Sequence, residues 1–78
     1  MDKIKKFLLR LSKKEREILL FLLERIKNLD LDWLDIKKLE WEKNMYRVRK
    51  WKIRIIFKRM WNTGLIIDMN YRGQIYKN

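Results

Sequence analysis

Basic side chains are concentrated in the stretch YRVRKWKIRIIFK, which spans residues 46–58. The stretch has six lysines and arginines and no acidic residue. Apolar and cationic residues alternate through most of it, as in two β-strands that share a cationic face. Arginine suits phosphate because its planar guanidinium donates two hydrogen bonds to two phosphate oxygens. We therefore predict that this stretch binds an anionic ligand, and that Arg47, Arg49 and Arg54 lie on one sheet face.

The charge of the whole chain favours the same kind of partner. Twenty-one Lys and Arg residues against ten Asp and Glu give a formal net charge of +11. Such a field attracts RNA, DNA, an anionic membrane or an acidic protein. A basic surface that serves only solubility, or adaptation to heat or salt, is the alternative. The chain has no Cys and no His, which excludes disulfides, thiolate chemistry and histidine catalysis. We expect no metal and no cofactor.

Length and hydropathy indicate a single small domain. A chain of 78 residues has room for one modest core. Its longest apolar runs, Ile18–Leu23 and Ile55–Phe57, are too short to span a bilayer. Charges continue through the first fifteen residues, which is unlike a signal peptide. Together with the absence of disulfides, this predicts a cytoplasmic protein without a membrane partner.

The first third of the chain has helical periodicity. Four apolar residues recur at helical spacing and predict a first helix over residues 1–11: Ile4, Phe7, Leu8 and Leu11. Ser12 and Glu15 form a capping-box pattern, which predicts that a second helix begins here and runs over residues 13–28. Leu20 and Phe21 widen the apolar face of that helix. We expect the first helix and a sheet to cover it, with a partner protein as the alternative cover.

The rest of the chain predicts a sheet. Residues 29–40 read as an acidic connection with a helical turn after Asp32, and a period of two begins at Asn44. Asn62 and Gly64 mark a hairpin turn, because both residue types accept positive φ. A strand over 65–71, a turn at Arg72-Gly73 and a short final strand follow. The prediction is an α+β domain over 1–78. Its helical hairpin (1–28) packs on one face of a three- to four-stranded antiparallel meander (44–78).

Four segments, in this order, resemble the RelE/ParE superfamily of bacterial and archaeal toxins: KFLLRLSKKEREILLFLLERI, DIKKLE, MYRVRKWKIRIIFK and LIIDMNYRGQIYK. The resemblance covers nearly the whole chain. It implies the toxin of a toxin–antitoxin system: a RelE-like, ribosome-associated, metal-independent endoribonuclease that cuts mRNA and inhibits translation. It also implies a cognate antitoxin. Two alternatives share the fold, a degenerate member that binds nucleic acid without cutting it and a ParE-like gyrase inhibitor. An interaction protein in which basicity has no role ranks last.

By motif position, the resemblance implies five catalytic residues: Arg47, Arg49, Arg54, Arg72 and Tyr76. In cleavage by a 2′-hydroxyl, the arginines would stabilise charge on the phosphate, with Arg54 and Arg72 foremost. Arginine keeps its proton and is a poor base. Tyr76 is the best candidate base, because nearby cations would lower its pKa, and Lys50 or Lys52 is the spare. We also expect four residues to contact RNA, the tryptophan by stacking on a base: Lys50, Trp51, Lys52 and Lys58.

The chain departs from the family pattern in three places. The usual N-terminal strand is missing, which leaves a sheet edge that a partner segment could fill. Arginine stands at 47 and 49, where ribosome-dependent members often carry lysine. Trp51 stands near a turn position that is commonly glycine, and a bulky residue at positive φ there would be strained. A structural role stays the alternative for each site residue, for example an Arg54–Asp68 ion pair.

Overall fold

The computed structural model describes residues 3–40 and 42–71. These residues form two helices followed by four strands: α1 (Lys3–Leu9), α2 (Lys13–Lys27), β1 (Asp35–Lys38), β2 (Met45–Lys50), β3 (Ile53–Met60) and β4 (Thr63–Tyr71). The predicted α+β class, with a helical hairpin on an antiparallel sheet, is confirmed. The predicted turn at 72–73 and the final strand lie outside the described residues. No helix in the described ranges is long and apolar enough to cross a membrane.

Ser12 separates the two helices. Its hydroxyl accepts a hydrogen bond from the Glu15 amide at 3.2 Å, and the Glu15 carboxylate accepts one from the Ser12 amide at 3.1 Å. The predicted capping box is therefore confirmed. Arg16 adds bonds of 3.0 Å to the carbonyls of Leu8 and Leu11. Leu8 lies in the last turn of α1 and Leu11 lies in the segment between the helices, so Arg16 of α2 ties the two helices together.

The antiparallel sheet has the order β1-β2-β3-β4, which makes β1 and β4 its edges. β1 corrects the prediction of a helical turn and connection after Asp32. Ile36 packs against the core and pairs with buried Val48, which favours a strand at this position. A strand of four residues with one core contact is too short to show a clear period of two. The sheet therefore includes one strand, β1, from the segment before residue 44, where the predicted meander begins.

The core lies between the helices and one face of the sheet. Its most deeply buried side chains come from α2, β2 and β3: Leu19, Ile26, Val48, Ile55 and Phe57. Val48 pairs with Ile55 across β2 and β3, as the predicted alternation requires. Tyr46 pairs with Phe57, and their rings stack with centroids 5.5 Å apart. Burial of these apolar side chains fixes the register, because a slip of one residue would turn them to the other face.

The outer side of α2 stays uncovered. Leu20 is 48% exposed and Phe21 is 66% exposed. The expectation that the fold would cover the whole apolar face is wrong, because α1 has only seven residues and packs toward β4, where Phe7 contacts Tyr71 at 4.9 Å between ring centroids. α2 therefore presents apolar side chains to its surroundings.

Both hairpin turns place a tryptophan at positive φ. Trp51, between β2 and β3, has φ 56°, so the tight turn is kept despite the strain. Between β3 and β4 the residue at positive φ is Trp61, at 41°, and neither Asn62 nor Gly64 as predicted. Gly64 lies within β4 instead. A Cβ there would overlap the carbonyl oxygen of Ile26, so glycine is required by the close approach of α2 to β4.

Candidate nucleic-acid interface

The register arranges polar and basic residues in two rows across the sheet. The first row crosses all four strands: Asp35, Arg49, Arg54 and Asn70. The second row follows it: Lys37, Arg47, Ile56 and Asp68. Successive residues of a strand point to opposite faces, and Val48 and Ile55 point into the core. The prediction that Arg47, Arg49 and Arg54 share the face away from the core is confirmed. We call this face the arginine face.

Arg49 and Arg54 stand directly opposite each other on β2 and β3. Side chains in such a pair have Cβ atoms roughly 5 Å apart, and like charges at that spacing repel. Both side chains are half-buried, which strengthens the repulsion relative to open solvent. Neither arginine faces the core, so core packing does not explain two cations at this position. The pair is therefore suited to an anion that bridges both guanidinium groups.

Asp35 is the acidic neighbour of this pair. Its Oδ2 lies 3.9 Å from Nε of Arg49, at the outer limit of an ion pair. Exposed pairs of this kind contribute about 0–1 kcal/mol. Asp35 can thus orient Arg49 without cancelling the charge of the pair. Sequence reasoning missed this residue because β1, which carries it, was read as a connection.

Asp68 contacts two other polar side chains in the structure, those of Lys3 and Asn70. Its Oδ1 lies 3.2 Å from Nζ of Lys3, and its Oδ2 accepts a hydrogen bond of 2.7 Å from Asn70. Asn70, the register partner of Arg54, is therefore held in orientation by Asp68. Asn70 was missed by sequence reasoning, because one amide in a strand carries no periodic signal.

Arg47 differs from its neighbours on the arginine face. Only 6% of it is exposed, although it lies on the sheet face away from the core. It lies between Lys37 and Ile56 in the ladder and is engaged within the chain. A guanidinium removed from water must be well paired, or it destabilises the fold. Arg47 therefore adds positive charge beneath the surface, whereas Arg49 and Arg54 are half-buried and more accessible from outside.

The predicted RNA-contacting residues divide by position. Lys50, Trp51 and Lys52 gather at the β2–β3 turn, next to the Arg49–Arg54 pair. Lys50 follows the core side of the alternation, and its Nζ lies 5.2 Å from the centroid of the Trp51 ring. Lys58 shares the face of Arg54 but lies four residues further along β3, roughly 13 Å away. The structure therefore brings three of the four together.

The remaining two predicted catalytic residues, Arg72 and Tyr76, lie outside the described residues. Their roles as second phosphate-binding arginine and as base stay predictions. The described residues place two facing arginines beside a basic turn. Two guanidinium groups in this arrangement can stabilise negative charge on a phosphate, but arginine does not take up a proton at neutral pH.

Comparisons with known proteins support the fold. Neither protein-family models nor curated proteins gave a match to the sequence. Among solved structures, the chain is similar to a chain of the RelB–RelE antitoxin–toxin complex from Methanococcus jannaschii. Identity is 27% and the TM-score is 0.73, and the match covers 91% of this chain and 86% of that one. The fold is thus RelE-like, with two helices on an open four-stranded sheet, and the similarity links the chain to toxin–antitoxin systems.

Proposed function

We propose that this chain is the toxin of a toxin–antitoxin pair: a RelE-like endoribonuclease of the cytoplasm that cuts mRNA on the ribosome. The observation that carries the proposal is the Arg49–Arg54 pair on the arginine face of a chain with a net charge of +11. The similarity to a component of an antitoxin–toxin complex supports the assignment. The toxin, rather than the antitoxin, is favoured by a packed core and by an excess of positive charge that suits RNA.

The chemistry follows from what two arginines do at a phosphate. Attack by a 2′-oxygen on the adjacent phosphorus forms a 2′,3′-cyclic phosphate and releases the 5′-oxygen of the next nucleotide as a hydroxyl. Negative charge grows on the phosphate oxygens during this step, and Arg49 and Arg54 donate hydrogen bonds to them. One such donor is worth roughly 3–4 kcal/mol of barrier in favourable cases. The proton of the 2′-hydroxyl goes to a base, for which Tyr76 is the candidate, and the leaving 5′-oxygen takes a proton from solvent.

Positioning of the mRNA by the ribosome would reduce the catalytic demand on the chain. Arginine does not accept a proton at neutral pH, so the described residues stabilise charge without completing acid–base catalysis. Positioning of the mRNA can contribute several kcal/mol, because a bound nucleotide needs no further ordering before reaction. A nuclease with this site therefore depends on a substrate held in place, which favours mRNA on the ribosome over free RNA.

Exposed apolar side chains support a protein partner. Leu20 and Phe21 on α2 are joined by Leu65 and Ile67 on the edge strand β4, all at least two-fifths exposed. Exposed apolar groups on a small chain mark sites of interaction. The charge of the chain favours an acidic partner through complementary fields. We assign this partner as the cognate antitoxin, which would cover α2, the β4 edge or both.

Induction of the chain in a bacterial host tests the proposal. We expect growth arrest together with new mRNA 5′ ends at a fixed position relative to the codon that the ribosome reads. The ends are mapped across the transcriptome beside ribosome positions. Arg59→Ala is the matched control, since Arg59 is an exposed arginine at the far end of β3.

Each alternative gives a different result in the same experiment. Growth arrest with intact mRNA and slowed translation would indicate a binding protein without nuclease activity. Loss of plasmid supercoiling with normal translation would indicate a gyrase inhibitor. Normal growth at full expression of folded protein would contradict the toxin assignment.

A further inference from the structure

All three tryptophans that the structure describes occupy positive φ. The angles are 73° at Trp33, 56° at Trp51 and 41° at Trp61. Bulky side chains are disfavoured there, and glycine or asparagine is the usual choice. The rings are also exposed, by 93%, 45% and 100% respectively. Neither backbone conformation nor burial explains tryptophan at these positions.

Two of the three lie at the same end of the sheet. Asp35 and Arg49 are register partners on β1 and β2. Trp33 comes two residues before Asp35, in the turn that precedes β1, and Trp51 comes two residues after Arg49, in the turn that follows β2, so both lie at the end of the sheet where Asp35 and Arg49 pair. Trp61 lies at the other end of the sheet, in the β3–β4 turn. Trp33 and Trp51 therefore flank the end of the arginine face that carries the Arg49–Arg54 pair.

The loop that carries Trp33 is anchored. Arg25 donates a hydrogen bond of 2.6 Å to the carbonyl of Asp32 and lies 3.5 Å from the carboxylate of Asp30. Leu31 and Leu34, on either side of Trp33, pack against the core. The loop is anchored and its indole is exposed. Ligand binding at this ring therefore loses little conformational entropy of the loop.

Local charge favours a nucleic acid at this end. Lys50 lies beside the Trp51 ring, and Lys52 is exposed in the same turn. The segment around Trp33 carries three carboxylates: Asp30 lies 3.5 Å from Nε of Arg25, Asp35 lies 3.9 Å from Nε of Arg49, and Asp32 is exposed beside Trp33. The positive charge at this end therefore comes from the β2–β3 turn and from the Arg49–Arg54 pair.

We infer that Trp33 and Trp51 form a stacking site for unpaired bases of single-stranded RNA, next to the phosphate held by Arg49 and Arg54. Every base has a face that stacks on an indole, so the site takes single-stranded RNA with little sequence preference. Duplex RNA does not fit this mode, because its bases are already stacked on each other. The inference rests on the proposed function and extends it by naming the groups that hold the bases.

The test compares three glycine variants: Trp33→Gly, Trp51→Gly and Trp61→Gly. Each change relieves positive φ in the same way and removes one exposed ring, so Trp61→Gly is the matched control. Binding of a labelled single-stranded 2′-O-methyl RNA, which cannot be cut, is followed by fluorescence anisotropy at fixed salt. We expect about tenfold weaker binding for the first two variants and less than a twofold change for Trp61→Gly.

Three further measurements separate stacking from a structural role. The Tm of each glycine variant is expected to equal or exceed that of the parent, because glycine suits positive φ. Trp33→Tyr is expected to keep most of the RNA affinity, since tyrosine also stacks. Duplex RNA of equal length should show no difference among the variants.

The possible failures are distinguishable. If the parent binds single-stranded RNA and all three glycine variants bind equally well, the stacking site is wrong and the proposed function stands. If Trp33→Gly and Trp51→Gly lose an acidic protein partner but not RNA, the tryptophans serve a protein interface and the inference is overturned. If the parent binds no RNA even at low salt, the proposed function itself fails.

Discussion

Arg54→Ala is expected to slow cleavage of mRNA by about 100-fold or more. Arg54 faces Arg49 directly across β2 and β3, and we propose that the two donate to the phosphate on which charge develops. Removing one donor leaves that charge less stabilised in the transition state. The measurement is the rate of cleavage of ribosome-bound mRNA by purified protein, followed by primer extension.

Three further variants show whether geometry or total charge governs the rate of cleavage. Arg54→Lys keeps the charge but cannot form bidentate hydrogen bonds to a phosphate, so we expect a cleavage rate between those of the parent and Arg54→Ala. Arg49→Ala should resemble Arg54→Ala, and Arg59→Ala should resemble the parent. Equal loss in Arg59→Ala would show that total charge, and not the Arg49–Arg54 pair, governs activity.

Gly64→Ala is expected to lower the free energy of unfolding by about 2–3 kcal/mol. A Cβ at this position would overlap the Ile26 carbonyl oxygen and lie 3.1 Å from Cγ2 of the same residue. The overlapping atom belongs to the backbone of α2, which moves only with the helix. The Thr63 hydroxyl, which donates a hydrogen bond of 2.9 Å to the Lys27 carbonyl, holds α2 and β4 together at this point. Strain therefore cannot be relieved by a single side chain.

Chemical denaturation of the two proteins measures the effect. A loss of this size corresponds to a decrease in Tm of roughly 10–20 °C for a chain of this length. Asn62→Ala is the control, because Asn62 is exposed in the adjoining turn and lies before β4 begins. An unfolding midpoint for Gly64→Ala within error of the parent would show that α2 does not pack this closely on β4.

Local chemistry allowed the helices and the strand faces to be predicted. The capping box needs only Ser12 and Glu15, three positions apart, and the alternation around Val48 and Ile55 needs only neighbours on two strands. Such features depend on residues close together in the sequence, so they can be predicted without knowledge of the tertiary contacts. The common face of Arg49 and Arg54 followed from the same alternation.

Other features depend on contacts between distant segments. β1 forms because Ile36 meets Val48, and Gly64 is needed because Ile26 approaches it from α2. Neither contact has a periodic signature in the sequence. The burial of Arg47 likewise depends on what packs around it, whereas alternation predicts only which face of the sheet carries it. The roles of all the predicted site residues stay predictions.

A reconstituted translation reaction tests the central proposal most directly. Ribosomes are stalled on a defined mRNA with an open A site, purified protein is added, and the mRNA 5′ ends are read by primer extension. We expect one cut within the A-site codon for the parent and none for the folded Arg49→Ala/Arg54→Ala double variant. Intact mRNA at an excess of folded parent protein, or an equal cut by the double variant, would contradict the proposal that these arginines form the site of an mRNA-cleaving toxin.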